Sequence, residues 1–577
     1  MNKKIIRRKV SKLNKDLEYL HPVLQRIYLA RDIGSLDELS RELKNLLSYS
    51  LLSGVDKATE RLIQAIKAQQ YVTVVGDFDV DGATSTALVV RALRAFGMKN
   101  VSYLIPNRFI HGYGLTTDIV EKASKNRPSL IITVDNGISS YTGVVRANQL
   151  GIDVLITDHH LPSEQLPPAY AIIDPNCKED KFPSKCLSGV GVAFYLMLAL
   201  RAKLKKNDWF KQHNINYPNM AQFLDFVALG TITDVVPLDR NNRILVYHGL
   251  QRIRLGQTHE GILALLQIAG CKREKIRTTD LSFAVGPRLN AAGRLDDMSL
   301  GVNCLLADNK KTALYIARQL DDLNKERRVL ASRMREEAFD SINQFYLNRL
   351  PLPPGICLYN KAWHPGVIGL VASQVKEQIN RPIIAFSKTS KGILQGSARS
   401  VDGLHIRNVL EIISIKYPNL IEKFGGHAMA AGLSLPLSRY KEFQRAFSEE
   451  VRKNSKKEDL QPKLITDGAL TTEELTVELA ELIEQAAPWG HGFPEPMFDG
   501  CFKIVNQRII GQQHLRLILQ MPKSKYYIDG IIFHANLQKW PNFYFQYVML
   551  VYRLDINEFR GRKKLQLLID HIQLLNH

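Results

Sequence analysis

Three short acidic segments constrain the fold of this chain most strongly, because each directly follows an apolar run of strand length. The segments are residues 75–82 (VGDFDVDG), 133–137 (TVDNG) and 157–160 (TDHH). Short apolar runs that end at Gly, Asp or Asn are typical of buried strands in a parallel sheet. Since ligands of an open α/β sheet bind beyond the carboxyl ends of its strands, we expect the acidic side chains to converge on one crevice.

The side chains expected in this crevice are Asp77, Asp79, Asp81, Asp135, Asp158, His159 and His160. So many carboxylates repel one another unless cations neutralise them. Carboxylate oxygens with one or two imidazoles suit Mn²⁺ or Mg²⁺ better than metals that prefer thiolates. A single Asp-x-Asp is more often a turn or a helix cap, and Asp81 could cap the helix that follows it. Three such segments at successive strand ends instead predict a metal-dependent phosphoryl-transfer site.

These segments resemble the signature motifs of the DHH phosphoesterases, and among them those of the RecJ-type single-strand-specific exonucleases. The resemblance rests first on Asp79-Val-Asp81, Asp135-Asn-Gly137 and Asp158-His-His160. It continues, in the family's order, through residues 187–194 (LSGVGVAF), 231–237 (TITDVVP), 286–294 (GPRLNAAGR), 363–373 (WHPGVIGLVAS), 396–400 (GSARS) and 424–432 (FGGHAMAAG). Departures such as Phe78, where the family often has Tyr, are conservative. The resemblance therefore implies an active enzyme.

The resemblance implies a 5′-to-3′ exonuclease that hydrolyses phosphodiester bonds of single-stranded DNA to 5′-mononucleotides in DNA repair, including mismatch repair, and in recombination. It further implies two divalent cations, Mn²⁺ or Mg²⁺. Their expected ligands are Asp77, Asp79, Asp81, Asp135, His159 and Asp234, with Asp135 as the bridge. Catalytic roles are assigned to Asp81, Asp135 and His160.

Neighbouring residues on a strand point in opposite directions, so His159 and His160 should differ in role. We assign His159 to metal and His160 to hydrogen-bonding or protonating the scissile phosphate. Asp77 could instead orient a metal ligand through a hydrogen bond, and Asp174, at another strand end, is a candidate for the same role.

Substrate contacts are expected from both lobes of the protein. The resemblance favours Arg108, Arg288, Ser397, Arg399, Gly425, Gly426 and His427. Arginine suits bidentate phosphate contacts, and the backbone N–H groups of Gly-rich loops can approach an anion closely. For any one of these arginines, a surface or salt-bridge role is the alternative.

Composition points in the same direction as the motifs. The 577 residues are too many for one core, and the net charge of +20 favours a polyanionic partner such as nucleic acid. No apolar run is long enough to cross a bilayer, and the seven Lys or Arg among the first fifteen residues are not followed by the apolar core of a secretory signal. Six cysteines without a Cys-x-x-Cys pair favour reduced thiols and a cytoplasmic location.

The chain is expected to divide into several domains. Alternating strand and helix patterns predict an α/β domain with a doubly wound parallel sheet at 51–265, and the breaker-poor stretch 309–345 predicts a long connecting helix. The full expected division is a basic, partly helical lead-in at 1–50, the DHH domain at 51–265, a connecting segment at 266–345, a second, smaller DHH-associated α/β domain at 346–452, a charged linker at 452–463 and a C-terminal domain at 464–577.

The C-terminal part is expected to form a small β-barrel, which the resemblance identifies as OB-like. Strand-like runs occur at 501–510, 514–520, 526–534, 543–554 and 564–574. Such barrels bind single strands by stacking bases on aromatic side chains. The candidates are Tyr526, Tyr527, Phe533, Phe543, Tyr544 and Tyr547, most of which we expect in the core. Because the catalytic motifs all lie earlier, we expect truncation after about residue 450 to leave a folded phosphoesterase.

Three other functions are compatible with parts of the sequence. Small-molecule phosphodiesterases and pyrophosphatases of the same superfamily share the site chemistry but need neither the barrel nor so basic a chain. A non-catalytic scaffold that binds single strands would tolerate loss of carboxylates, and none is lost here. A dinucleotide-binding oxidoreductase would rest on Gly189 and Gly191 alone, where Phe194 replaces the third glycine. For the exonuclease, single-strand-binding protein and a helicase are possible partners, and a monomer without membrane attachment is expected.

Overall fold

The computed structural model of the chain describes residues 3–11, 15–347, 352–389, 392–456, 460–511, 513–522, 524–535 and 547–575. Its first elements are strand β1 (Lys4–Arg7) and helix α1 (Pro22–Leu29), followed by short 3₁₀ turns up to Leu51. Among the described helices, none combines the length and apolar character needed to span a membrane.

The N-terminal lobe is built on a parallel sheet. Its strands are β2 (Val72–Val75), β3 (Val101–Leu104), β4 (Leu130–Val134), β5 (Asp153–Thr157) and β6 (Ala171–Ile173). They lie in the order β3-β2-β4-β5-β6, with all neighbouring pairs parallel. The chain changes direction of winding between β2 and β4, and at such a switch point open α/β sheets bind their ligands.

Helices cover both faces of this sheet. They are α2 (Val55–Lys67), α3 (Val80–Ala95), α4 (Thr117–Ser124), α5 (Tyr141–Gln149) and α6 (Gly189–Lys206). Val74 and Ile132 point into one core with α2, α3 and α6, whereas Val75 and Ile131 point into a second core with α4 and α5. Because successive strand residues face opposite cores, the strands are apolar throughout, and the predicted doubly wound sheet is confirmed.

A helical layer follows the sheet. It contains α7 (Trp209–Gln212), α8 (Leu224–Asp234), α9 (Arg240–Arg254), α10 (Glu260–Ile268), α11 (Thr278–Asp280), a π-turn (Leu281–Val285), α12 (Gly286–Leu295) and α13 (Ser299–Leu305). Helix α8 is buried along most of its length and ends at Asp234, as predicted. The predicted long helix is α14 (Lys310–Leu347), which packs on α12 in the first lobe and on α15 (Ile368–Ile379) in the second.

The second lobe is a smaller α/β unit with a mixed sheet. Besides α15 it contains β7 (Ile356–Tyr359), β8 (Ile383–Lys388), β9 (Ile393–Arg399), α16 (Ile406–Lys416), β10 (Lys423–Gly426), β11 (Ala430–Pro436) and α17 (Tyr440–Asn454). The strand order is β10-β11-β9-β8-β7, in which β7 and β8 are parallel and the other pairs antiparallel. The predicted second α/β domain is therefore present.

The C-terminal part begins with β12 (Lys463–Thr466) and α18 (Val477–Ala486), and then forms a closed barrel. The barrel strands are β13 (Phe498–Ile510), β14 (His514–Gln520), β15 (Tyr527–Ile532), β16 (Tyr547–Phe559) and β17 (Arg562–Leu574). Tyr526, Tyr527 and Phe533 are exposed on it, so the expectation that most of the aromatic candidates lie in the core is wrong for these three. Tyr527 is the first residue of β15, and Tyr526 and Phe533 lie directly before and after this strand. None of the three occupies a position that faces the barrel core. Phe543 and Tyr544 lie outside the described residues.

The N-terminal segment is tied to the C-terminal part. Strand β1 pairs in parallel with β12, and Arg31 forms a buried salt bridge with Asp467 (Nη1–Oδ1 2.7 Å). The ring of Tyr28 stacks on Trp489 and Phe493, with centroid distances of 6.4 and 6.3 Å. Barrel residues also belong to the same continuous core as the first sheet. Truncation near residue 450 would expose part of this core, which argues against the expectation that the remaining phosphoesterase folds by itself; that expectation stays a prediction.

Candidate metal centre

The first acidic segment connects β2 to α3. Asp79 caps α3, since its side chain accepts a hydrogen bond from the N–H of Gly82 (3.1 Å). Asp81 does not cap this helix, contrary to the alternative weighed from sequence. Its carboxylate accepts hydrogen bonds from the backbone N–H groups of Gly189 and Val190 (2.6 and 3.0 Å), at the first turn of α6. The N-terminus of α3 thus holds the carboxylate of Asp79, and the N-terminus of α6 holds that of Asp81. Both carboxylates lie at the switch point of the sheet.

Asp135 and Asp81 are closely surrounded by backbone. Asp135 adopts the left-handed conformation (φ 60°), which is uncommon for a residue other than glycine and marks a position held by its surroundings. A Cβ on Gly189 would lie 2.5 Å from Asp135 Cβ, and one on Gly230 would lie 2.7 Å from Asp81 Oδ1. Glycine at these two positions lets α6 and α8 approach the carboxylates.

His159 brings the acidic segments together. Its Nε2 atom lies 3.1 Å from Asp135 Oδ1, 3.5 Å from Asp234 Oδ2 and 3.9 Å from Asp81 Oδ2. One potential ligand group consists of Asp81, His159 and Asp234, and a second of Asp77, Asp79 and Asp135, with the ligand atoms within 4.8 Å of one another in each. A third overlapping group joins His160 to Asp135 and His159. All six predicted ligands therefore surround one place, with Asp135 between the two groups.

Several polar atoms of these groups are buried and have no hydrogen-bond partner among the described residues. They are Asp77 Oδ1, Asp135 Oδ1, His159 Nε2 and Asp234 Oδ2. Orphaned buried acceptors are costly and rare in folded proteins. A set of oxygens with one imidazole nitrogen matches the ligand preference of Mn²⁺ and Mg²⁺. The residues present thus fit a pair of divalent cations.

The electrostatics agree with this fit. Burial, and then repulsion between the carboxylates, raises the pKa of Asp81 and of Asp135 well above the usual range, and burial and Asp79 raise that of Asp234 to about 7. Burial and the neighbouring His160 lower the pKa of His159 to about 3, so its ring is neutral and able to bind metal. Cations would relieve the repulsion between the carboxylates.

The ring of His160 has a hydrogen-bond partner that the ring of His159 lacks. Its Nδ1 lies 2.7 Å from Asp158 Oδ1, and the hydroxyl of Tyr113 lies 3.3 Å from the same ring nitrogen. Burial alone would lower the pKa of His160, but the hydrogen bond to Asp158 and the charges of Asp158 and Asp234 outweigh it and raise the pKa to about 9. Asp158 is itself fixed by the N–H of Ile138 (2.9 Å). The two histidines therefore differ in environment. Both lie beyond the end of β5 at Thr157, so alternation along a strand does not explain the difference, and their separate roles stay a prediction.

A cleft with a volume of about 1060 Å³ separates His160 from the second lobe. Its opposite wall includes four of the predicted substrate residues, Ser397, Gly425, Gly426 and His427. The rings of His160 and His427 are nearly parallel across it, with centroids 6.3 Å apart. The two lobes thus enclose one site.

Arginines form a positive cluster beside this cleft. Arg108 lies over the ring of Phe78, 4.2 Å from its centroid, and Arg399 Nη1 donates to Ser397 Oγ (3.0 Å). Burial, and then repulsion by Arg108, Arg327 and Arg399, lowers the pKa of Arg294 to about 9. Asp77 and Asp79 compensate part of the charge on Arg108, and the remaining cluster of like charges favours an anion. Sequence reasoning missed Arg294, although it closes the quoted motif 286–294.

Two candidates lie in structural roles. Arg288 pairs with Asp321 (Nε–Oδ1 2.9 Å) and donates to the carbonyl of Ala284 (2.6 Å), which links α12 to α14. Its assignment to substrate stays a prediction. Asp174 accepts from the N–H of Asn176 (2.8 Å), whose side chain in turn donates to the carbonyl of His159 (2.6 Å). Asp174 thus positions Asn176, and through it the backbone at His159, without belonging to a group of potential metal ligands.

The sequence and the fold were compared with known proteins. Family models match residues 71–231 (DHH family, N-terminal domain), 353–453 (DHHA1 domain) and 466–571 (RecJ OB domain). The chain is 50% identical over 553 residues to the single-stranded-DNA-specific exonuclease RecJ of Escherichia coli K12, with 96% of both chains covered. It is 49% identical over 573 residues to that of Haemophilus influenzae Rd, with 99% of both covered.

Among solved structures, RecJ from Thermus thermophilus in complex with Mn²⁺ superposes with a TM-score of 0.80 at 25% identity, covering 100% of this chain and 80% of that one. The fold, the carboxylate–histidine site and the family models together define a DHH phosphoesterase. Within that class, the chain belongs to the RecJ family of single-stranded-DNA-specific exonucleases. The domain limits given from sequence stay predictions.

Proposed function

We propose that this protein degrades single-stranded DNA from the 5′ end and releases 5′-mononucleotides. The observation that carries the proposal is the cleft in which His160, beside the metal-ligand groups, faces Ser397 and His427 of the second lobe. Relatives about 50% identical over 96% of the chain carry the name single-stranded-DNA-specific exonuclease. The net charge of +20 supports a nucleic-acid substrate.

The two ligand groups suit two cations, one of which would be held by Asp81, His159 and Asp234 and the other by Asp77, Asp79 and Asp135. When bound, such cations supply Lewis-acid activation of water and stabilise the charge that develops on the phosphate. Asp81 and Asp135 contribute through their negative charge and fixed position. The neutral ring of His159 offers Nε2, which has no hydrogen-bond partner in the described part of the chain.

His160 is placed to act on the phosphate itself. With its pKa raised to about 9, it is protonated at neutral pH and can donate to a phosphate oxygen in the cleft. Asp158 fixes the ring through Nδ1, and Nε2, which lies 3.5 Å from the Tyr113 hydroxyl, is the nitrogen that would reach the substrate. The cluster of Arg108, Arg294 and Arg399 would hold a phosphate of the strand in register, since near-attack geometry depends on small displacements.

The barrel supports binding of a single strand. Tyr526, Tyr527 and Phe533 expose aromatic rings, and unpaired bases stack on such rings with little regard to sequence. Small-molecule hydrolysis by the same site is less well supported, because it needs neither these rings nor the basic surface. A non-catalytic scaffold is disfavoured by the complete ligand set.

We further propose that the protein acts as a cytoplasmic monomer in DNA repair, mismatch repair and recombination, together with single-strand-binding protein and a helicase. Family membership supports the role in repair and recombination. The need for an unwound strand supports the partners, because the exposed aromatic rings of the barrel can stack only with unpaired bases. Size-exclusion chromatography with light scattering tests the monomer.

End-labelled oligonucleotides test the activity. With Mn²⁺ or Mg²⁺, we expect a 5′ label to be released as mononucleotide at once and a 3′ label to shorten progressively. A matched duplex and an RNA strand should resist digestion, and Asp135→Ala should be inactive on all substrates. Release that begins at the 3′ end, or equal digestion of duplex and single strand, would overturn the proposal.

A further inference from the structure

Two apolar side chains are exposed beside the metal centre. Phe283 is 75% exposed and lies in the middle of the π-turn Leu281–Val285, and Val235, directly after Asp234, is 59% exposed. Val235 has a φ of 63°, a strained conformation for a β-branched residue. π-turns and strained backbone are frequent at functional sites.

The contacts of the π-turn place Phe283 near the metal ligands. On one side of it, the Ser282 hydroxyl donates to the carbonyl of Ile232 (3.5 Å). On the other side, a Cβ on Gly286 would lie 2.5 Å from Cγ2 of Thr233. Both contacts are with the last turn of α8, which ends at Asp234. Phe283 therefore lies beside the end of the helix that supplies a metal ligand.

This is also the open side of the ligand group. The side chain of Asp234 is 21% exposed, whereas those of Asp81 and Asp135 are at most 3% exposed. A strand that extends from the cleft past Asp234 would meet the exposed side chains of Phe283 and Val235, which offer it apolar surface.

We propose that Phe283, supported by Val235, is a stacking platform for the base adjacent to the scissile phosphate. The inference rests on the proposed function and adds a positioning residue to it. Every base has a π-face, so a phenyl ring can hold any nucleotide of a strand that is digested without regard to sequence. A base must be unpaired to lie on the ring, so the platform also selects single strands at the site itself, independently of the barrel.

The test compares Phe283→Ala with Phe283→Tyr on two substrates, poly(dT) and a strand of equal length built from abasic tetrahydrofuran nucleotides. On poly(dT) we expect Phe283→Ala to raise KM about tenfold, as for loss of one stacked base, and Phe283→Tyr to stay near wild type. On the abasic strand, wild type and Phe283→Ala should behave alike, because no base is present. Tyr19→Ala, which also removes an exposed aromatic ring, is the matched control and should match wild type on both substrates.

Three outcomes would overturn the inference. Equal KM values for wild type and Phe283→Ala on poly(dT) would show that no base lies on the ring. An equal loss on the abasic strand would show that the ring acts on something other than a base, such as a protein partner or the fold. Wild-type protein that leaves both strands intact would overturn the proposed function, and this inference with it. The first two outcomes would overturn only the inference.

Discussion

The imidazole rings of His160 and His427 lie 6.3 Å apart and within 21° of parallel, although they belong to different lobes. One ring is fixed by Asp158 beside the metal ligands, and the other follows the strand β10 of the second sheet. The two imidazoles therefore border the same part of the cleft, one from each lobe. The long helix α14, which packs on both lobes, holds this distance.

The acidic ligands should be needed for chemistry but not for the fold. We expect Asp135→Ala to abolish hydrolysis of single strands while its circular dichroism spectrum and its affinity for a single strand stay close to wild type, because Asp135 lies at a strand end and removal relieves repulsion. Steady-state rates and filter binding measure the two effects. Turnover within tenfold of wild type would remove Asp135 from the bridging position.

Asp158→Asn should weaken catalysis through His160. The variant removes the charge that raises the pKa of His160, so in metal-free protein NMR titration should give a pKa below the value of about 9. Loss of such an orienting partner typically costs about 10–100-fold in activity, and we expect a loss of that size. Asp153→Asn, at the opposite end of the same strand β5, is the matched control. An unchanged titration of His160 would contradict the assignment.

The raised pKa of Asp234 predicts an inverse pH dependence of stability in metal-free protein. The folded pKa of about 7 exceeds the unfolded value near 3.8, so the folded state binds more protons between these values and stability falls as pH rises towards 7. Asp234→Asn should therefore raise the melting temperature of metal-free protein at pH 8 and change it less at pH 5. With saturating Mn²⁺ the order should reverse, since only wild type keeps the full ligand set. An equal change in melting temperature at pH 5 and pH 8 would show that the titration of Asp234 does not determine the effect.

Arg399 should matter for placing the strand and not for binding metal. Arg399→Ala is expected to lower kcat/KM on long strands by at least about 100-fold, because small misplacements of the phosphate are costly, with Mn²⁺ affinity unchanged in calorimetry. Arg399→Lys should recover only part of this, since lysine lacks the bidentate fork. Arg445→Ala, an exposed arginine of the same lobe, serves as control. A loss that depends on a 5′-phosphate would indicate that this wall binds the strand end.

The exposed rings of the barrel should contribute affinity that salt does not screen. The double variant Tyr527→Ala, Phe533→Ala is expected to raise Kd for a single strand by roughly 10-fold or more, because each stacked base contributes about 1–3 kcal/mol. The slope of log Kd against log salt should not change, since no phosphate contact is removed. A reduced slope with unchanged affinity at low salt would mean that these residues act through charge and not stacking.

Local patterns were sufficient to predict the first sheet. The acidic segments follow apolar runs directly, so strand direction alone brings Asp77 and Asp135 to one edge, whereas Asp234 was included through the family resemblance. The assignment of these residues to metal stays a prediction, as does that of Ser397 and His427 to substrate, although both line the cleft.

Long-range pairing could not be predicted in this way. Nothing near Arg288 in sequence indicates that Asp321 neutralises it, and nothing near Arg294 indicates that three other arginines surround it. The exposure of Tyr526 and Phe533 depends on where the strand β15 begins and ends, and a shift of one residue reverses which side chains face the barrel core. The pairing of β1 with β12 has no local signal in either segment.

That pairing sets an order of assembly. During synthesis β1 leaves the ribosome first, whereas β12 and the partners of Tyr28 and Arg31, at positions 489, 493 and 467, follow only after both lobes have been made. Contacts between such distant parts of a chain form slowly, because a large loop must close before they stabilise anything. We therefore expect the basic N-terminal segment to stay unpaired until the start of the barrel has emerged, so that its docking on the C-terminal part is a late event.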